Sequence, residues 1–281
     1  MQKKKVEEAV RVRPPTYTIT ETYKDNEYIY DISYYLNLKK DMEVKLEKAM
    51  INGKPTIVSK VYLKNSPQIE IKNKLTNKEK RMIMYILAKK RFEGFWVWVD
   101  KLEKGNEKDK KKATAYKQKN LRNFNERNLE NAINAILEES EKGHDYRVLA
   151  AQGLQESILS LLPYGQLDEV GLYHARKCVA KEQAKKLGLE GNIEEILLNP
   201  RHACSLRNYH MLLLLKSSKT PEEALQKYNA GKYWKNYSCY SEAIKEIIKE
   251  IVCLELLAKE RPREFASYYS KFKTTYELSN K

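Results

Sequence analysis

The order of apolar and polar positions divides the chain into a front part with the period of strands and a longer rear part with the period of helices. Residues 12–75 read as strands: Tyr17-Thr18-Ile19-Thr20 alternates, Tyr28 to Tyr35 is aromatic and β-branched, and Asn52-Gly53 makes a turn ahead of Thr56 to Leu63. The period changes at Thr76. Thr76 or Asn77 caps a helix whose Met82, Ile83, Ile86 and Leu87 share one face, and Phe92 to Val99, with Trp96 and Trp98, continues that helix or docks beside it. Lys104 to Lys112 is mostly charged and is expected to be a solvated connector. Beyond it, Ala113 to Glu141 carries Leu121, Phe124, Leu129, Ala132, Ile133 and Ile136 at three-to-four spacing as a second helical stretch.

Punctuation is clearest from residue 143 onward. Asp145 caps a helix expected to run to Leu162, just ahead of Pro163, and Asn192-Ile193-Glu194-Glu195 carries the cap and third-position acid of a capping box. Asn199-Pro200 opens another helix with proline at its first position. Thr220-Pro221-Glu222-Glu223 repeats both devices, and its helix stops at Gly231. Ser241 caps a long amphipathic helix through Ile244, Ile247, Ile248, Ile251 and Leu254. No strand pattern is visible here. The expected fold class is α+β: a strand-bearing N-terminal region over 1–75, a helical connecting region over 76–142 and an all-α domain over 143–281, with no internal repeat.

Composition narrows the classes. The chain has 281 residues, 42% hydrophobic and 32% charged, which describes a globular protein with a sizeable core. Its richest apolar run, Met82 to Val99, is broken by Lys89, Lys90, Arg91 and Glu93 and falls short of the roughly 18 apolar residues of a membrane span. The formal net charge of +15 predicts attraction to polyanions, among them nucleic acid, an anionic membrane surface, anionic wall polymer or the carboxylates of peptidoglycan stems. The sign alone does not choose among them, and no nucleic-acid motif accompanies it. Cys178, Cys204, Cys239 and Cys253 lack C-x-x-C spacing and are expected to be buried free thiols, with one disulfide in the C-terminal half the alternative for an exported protein. His202, Cys204 and His210 lie too far apart along a helix for a compact metal site, so neither metal nor cofactor is expected. The basic start Met1 to Lys5 is not followed by an apolar segment.

The candidate chemistry lies on the helix expected from 146 to 162. Val148, Ala151, Leu154, Ile158 and Leu161 form a core stripe, while Glu156 shares the other face with Leu149, Gln152, Gly153 and Ser160. Small and polar neighbours are what a sugar groove requires, because the ring must approach the carboxyl closely. Leu149-Ala150-Ala151-Gln152-Gly153-Leu154-Gln155-Glu156-Ser157, then Gly171-Leu172, Asn199-Pro200 and Tyr228-Asn229-Ala230-Gly231, resemble in order and spacing the catalytic domain of soluble lytic transglycosylases and goose-type lysozymes. The wording is most similar to the membrane-bound lytic transglycosylase F branch. The resemblance covers residues 143–260, slightly under half of the chain.

That resemblance implies a lysozyme-like domain that cuts the MurNAc-GlcNAc bond of peptidoglycan without a cofactor. It places the catalytic acid at Glu156 and, at Ser157, the residue that supports the active-site helix. Gly171 and Leu172 match the loop across the cleft, and Tyr228 and Asn229 the pair that orients the acid. Gln152, Tyr173 and His174 complete the expected substrate contacts, with Ser157, Gly171, Leu172, Tyr228 and Asn229. Tyr173-His174 departs from the family's Met-Gln at the loop. Ordinary glycosidases pair two carboxylates. Asp168 and Glu169 precede the loop and read as surface residues, so the resemblance implies one carboxyl acting twice, with the substrate's N-acetyl group assisting. The first step needs a protonated Glu156, partly buried against groups such as Leu172 and Tyr228. The rival expectation is a degenerate transglycosylase fold that grips glycan, or a virion or secretion partner. A wall substrate implies the periplasm or cell envelope, reached after removal of a signal or by phage delivery.

Overall fold

Asn52 and Gly53 both adopt positive φ, +50° and +72°, the two-residue turn that matches the twist of a tight hairpin. In the computed structural model, which describes residues 35, 37–64, 74–165, 168–231 and 239–279 (side chains of the last helix to Lys273), that turn joins β1 (Met42–Ile51) to β2 (Lys54–Leu63). The strands pair antiparallel in unbroken register from Ile51 opposite Lys54 to Met42 opposite Leu63. Alternation then sends Met42, Val44, Leu46, Ile57 and Val61 into the core. The strands expected at Tyr17–Thr20 and over most of Tyr28 to Tyr35 lie outside the described residues.

Helix α1 (Asn77–Glu103) opens on a capping box in which Thr76 and Glu79 satisfy each other's backbone N–H, and Phe92 to Val99 continues it without a break. It is buried on nearly every side from Ile83 to Lys89. The expected charged connector is instead helical. Asn106 accepts the Asp109 N–H at 3.0 Å and starts α2 (Glu107–Lys119), whose Tyr116 ring meets Phe95 of α1 edge-on at 5.2 Å while its lysines stay outside. The stretch Ala113 to Glu141 is therefore two helices. Asn120 leaves helical conformation, its side chain donating to the Tyr164 carbonyl and accepting the Tyr164 N–H, and Leu121 is 73% exposed, against its expected core role. Asn125 then caps α3 (Glu126–Glu141).

Helix α4 (Tyr146–Ser157) begins on Asp145 as expected but ends five residues before Leu162. Ile158, Leu159 and Ser160 all take positive φ, between +53° and +66°. This left-handed turn is held by Leu159 N–H on Gly153 O at 3.0 Å and Leu162 N–H on Ser157 O at 2.8 Å. The Ser157 hydroxyl ties it down, accepting Ser160 N–H at 2.8 Å and donating to Leu172 O at 2.7 Å. A short hairpin, β3 (Glu169–Val170) with β4 (Ala175–Arg176), follows where no strand was expected. Two-residue strands are too short to leave a period in sequence.

The remaining helices are α5 (Lys177–Lys186), α6 (Ile193–Leu198), α7 (Pro200–Lys216), α8 (Pro221–Ala230), α9 (Cys239–Glu260) and α10 (Pro262–Ser279). Asn192, Asn199 and Thr220 cap α6, α7 and α8 as their sequences dictate. Helix α9 already includes Cys239, ahead of the expected cap Ser241, which is buried. The result is a mostly helical α+β architecture with a small antiparallel sheet toward the N-terminus.

One buried cluster runs through the hairpin, α1, α3, α4 and α9, so the strands share the core of the helices. Polar ties reinforce that continuity. Lys48 Nζ of β1 donates to Leu215 O and Ser218 O at the end of α7, both at 2.7 Å. Asp145 accepts Arg147 N–H through one oxygen and Ser59 N–H and Oγ, each at 2.6 Å, through the other, so one carboxylate both caps α4 and latches β2. Arg147 forms a two-pronged pair with Glu255 of α9, whose side chain has no exposure. Removing either partner would strand a buried charge at a cost of about 3–5 kcal/mol.

Candidate active site

Glu156 lies one residue before the C-terminal end of α4 and two before the left-handed turn, with its side chain 12% exposed. Its two oxygens have different surroundings. Oε1 accepts a hydrogen bond from the Tyr240 hydroxyl of α9 at 2.5 Å, and Oε2 faces His174 Nδ1 of the loop at 4.0 Å. Tyr240 is wholly buried. Burial first, then the neighbouring Glu156 charge, push its phenol well above the ordinary value, so it keeps its proton and acts as a donor. Gln152, one turn before Glu156, lies close enough to the Tyr240 hydroxyl to favour the ionised phenol slightly, although its Nε2 completes no hydrogen bond.

The loop opposite is fixed by backbone. Gly171 has φ +84°, and a Cβ there would stand 2.0 Å from Leu197 O, so only glycine fits. Gly171 N–H donates to Pro163 O at 2.8 Å, and His174 N–H donates to Gly171 O at 3.2 Å. His174 itself takes φ +45° and places Nε2 2.8 Å from Leu162 O. A carbonyl only accepts, so Nε2 carries a proton, and in the neutral ring Nδ1 presents its lone pair toward Glu156. Glu169 is also here, contrary to its expected surface position: it is 7% exposed, whereas Asp168 is open to solvent. A Cβ built on Gly165 would lie 2.7 Å from Glu169 Oε2 and 3.2 Å from His174 Nδ1, which sets a second carboxylate beside the imidazole that faces Glu156.

Of the residues expected to meet substrate, His174, Tyr228 and Asn229 keep partial exposure beside Glu156 or its loop. The others are buried and are engaged with the protein itself. Gln152 is 0% exposed and its Oε1 is taken by Arg207 of α7. Ser157 is equally buried and pins the turn to Leu172 O, while Leu172 packs in the core. Tyr173 is 1% exposed, with its hydroxyl 3.7 Å from Cys204 Sγ. Burial pushes the Cys204 thiol up to about 12, which leaves it an inert core group. The expectation of four buried thiols is met only by Cys204 and Cys253, since Cys178 and Cys239 are exposed, and all four are free.

Tyr228 also differs from its expected part. Its hydroxyl donates to Tyr173 O at 3.0 Å and so braces the loop, whereas the phenol that grips the acid is Tyr240. Tyr240 escaped the sequence reading because it belongs to the apolar stripe of a long helix, 84 positions from Glu156. No family model, curated protein or solved structure matches this chain.

Tyr240→Phe keeps the ring in the core and removes one donor to a carboxylate, worth about 1.5–3 kcal/mol. The melting temperature is expected to fall by several degrees, and an unaltered value would reduce Tyr240 to packing.

Proposed function

We propose that the protein is a peptidoglycan-cleaving lytic transglycosylase in which Glu156 acts first as acid and then as base. The observation that carries the reading is the Glu156 carboxyl, largely buried, held by a buried phenol and faced by an imidazole. Its support is the motif order from Leu149 to Gly231, which sets this Glu between the Gly171 loop and the α8 segment that ends in Tyr228-Asn229.

In this mechanism the Glu156 proton passes to the glycosidic oxygen as the bond to the anomeric carbon of the muramic sugar breaks, and the substrate's N-acetyl oxygen supports the developing cation. The resulting carboxylate takes the proton from the C6 hydroxyl, whose oxygen closes on the anomeric carbon, so no water is consumed and the product is a 1,6-anhydromuramyl end. Tyr240 holds Oε1 throughout and leaves Oε2 for the proton that moves. His174 gives that oxygen an acceptor when the acid is protonated and, once the imidazole gains a proton, an opposite charge when it is not.

Hydrolysis is the second reading, favoured by the Glu169 carboxylate beside His174, since paired carboxylates activate water in ordinary glycosidases. Mass spectrometry of digested wall separates the two. Anhydro ends, lighter by one water than reducing ends, support transglycosylation; reducing ends support hydrolysis; undigested wall removes both.

A further inference from the structure

The turn between α1 and α2 stands clear of the core. From Glu103 to Lys112 no residue is buried, and residues 103–108 are all exposed. Helix α2 packs chiefly on α1, with Ala113 and Tyr116 turned inward, so its outer face is open to solvent. Charge gathers at the same place. Residues 101–112 hold six lysines against Glu103, Glu107 and Asp109, and two of those acids are engaged: Glu103 takes Lys117 at 2.7 Å and Glu107 takes Lys110 at 2.9 Å. Lys101, Lys104, Lys108, Lys111 and Lys112 enter no ion pair among the described residues. Five cations thus face one remaining acid, Asp109, whose carboxylate folds back toward Gly105.

The chemistry of the tip decides among anionic partners. Single-stranded nucleic acid is held in a groove with aromatic rings to stack on, whereas this surface is convex and Tyr116, the one aromatic residue of α2, is turned onto Phe95 and Trp98 at 5.2 and 5.7 Å. All five free cations are lysines. An ammonium on a long stem offers a point charge without the fork that recognises a single phosphate, which suits a diffuse sheet of lipid headgroups. Two of the three most exposed large apolar residues described also lie on these elements: Val97, 52% exposed, one turn before Lys101 on α1, and Leu121, 73% exposed, beside Arg122, whose guanidinium clasps Asp100 at 2.7 Å. Aliphatic groups next to lysines find contact at the acyl edge of a bilayer and none along a chain of phosphates.

We propose that the α1–α2 tip docks the protein on an anionic lipid surface, with Lys101, Lys104, Lys108, Lys111 and Lys112 against the headgroups. The assignment is independent of the chemistry proposed for Glu156. Helix α2 spaces the two, since its far end is tied to the loop of the candidate site by Lys119 Nζ on Gly165 O at 3.2 Å and by Asn120 Nδ2 on Tyr164 O at 3.1 Å. Its 13 residues hold that loop about 20 Å from the tip.

The test is cosedimentation of the full chain with phosphatidylcholine vesicles made with and without phosphatidylglycerol. Binding is expected to the anionic vesicles alone and to weaken about tenfold or more when salt is raised from about 0.1 M to about 0.5 M. The triple variant Lys104→Glu, Lys108→Glu, Lys111→Glu changes exposed positions only and should weaken binding about a hundredfold. Lys181→Glu, Lys185→Glu, Lys186→Glu on α5 makes the same change in net charge at exposed positions and should weaken it less than about threefold. Circular dichroism checks both variants; if the tip variant does not fold, the arms on the parent chain decide. Failure to bind anionic vesicles, equal binding to neutral ones, or equal losses in the two triple variants overturns the proposal. Duplex DNA and inorganic polyphosphate are run at equal phosphate concentration, and tighter binding to either overturns it in favour of nucleic acid or a soluble anionic polymer.

Discussion

Glu156→Gln is expected to stop release of soluble fragments from purified peptidoglycan, a loss of about a thousandfold or more, since it removes the only group assigned to both proton transfers. The substitution keeps shape and hydrogen bonding. A glutamine oxygen still accepts from Tyr240, so circular dichroism and the melting temperature should match the parent protein. Turbidity clearing of a wall suspension, with mass spectrometry of the supernatant, reads the outcome. Parental clearing by the variant would refute the assignment of Glu156, whatever the products.

Gly171→Ala is the second large effect, and it acts through the backbone. The position combines φ +84° with a Cβ that would stand 2.0 Å from Leu197 O, and a carbonyl in the chain cannot swing aside as a side chain can. The loop would have to leave α6, taking with it the Gly171 bonds to Pro163 and His174. A cost of about 2–4 kcal/mol is expected, read as a lower urea midpoint at unchanged slope, together with loss of activity as His174 moves from Glu156. Gly188→Ala is the matched control. Its φ is +68° but nothing lies within 4 Å of the added carbon, so only backbone strain of about 1–2 kcal/mol is expected. Equal losses at both positions would show that Leu197 does not matter.

What could be read in the sequence follows the range over which each feature is decided. Thr76, Asp145, Asn192, Asn199 and Thr220 announced helix starts because a cap bonds a backbone N–H two or three residues away. Asn52-Gly53 announced the hairpin for the same reason. The end of α4 was not readable, since nothing local tells Ile158 and Leu159 to adopt positive φ; Ser157 holding Leu172 O across the fold does so. In the site, Glu156 and the Gly171 loop were visible through short motifs. Tyr240 and Arg207 were hidden because a buried tyrosine on an apolar stripe and an arginine within a helix look like packing and surface until α9 and α7 are docked on α4.

Asp145 has one further consequence. Because this carboxylate serves the start of α4 and the second strand at once, the hairpin acts as a clamp on the segment that carries the acid. Trimming the molecule back to residues 143–260 would remove the hairpin, lose the Ser59 half of that clamp and uncover the helix surfaces on which Val44, Leu46 and Ile57 pack. The front of the chain is thus a built-in scaffold for the segment that carries Glu156, and a shortened version should be sought among insoluble preparations before folded ones.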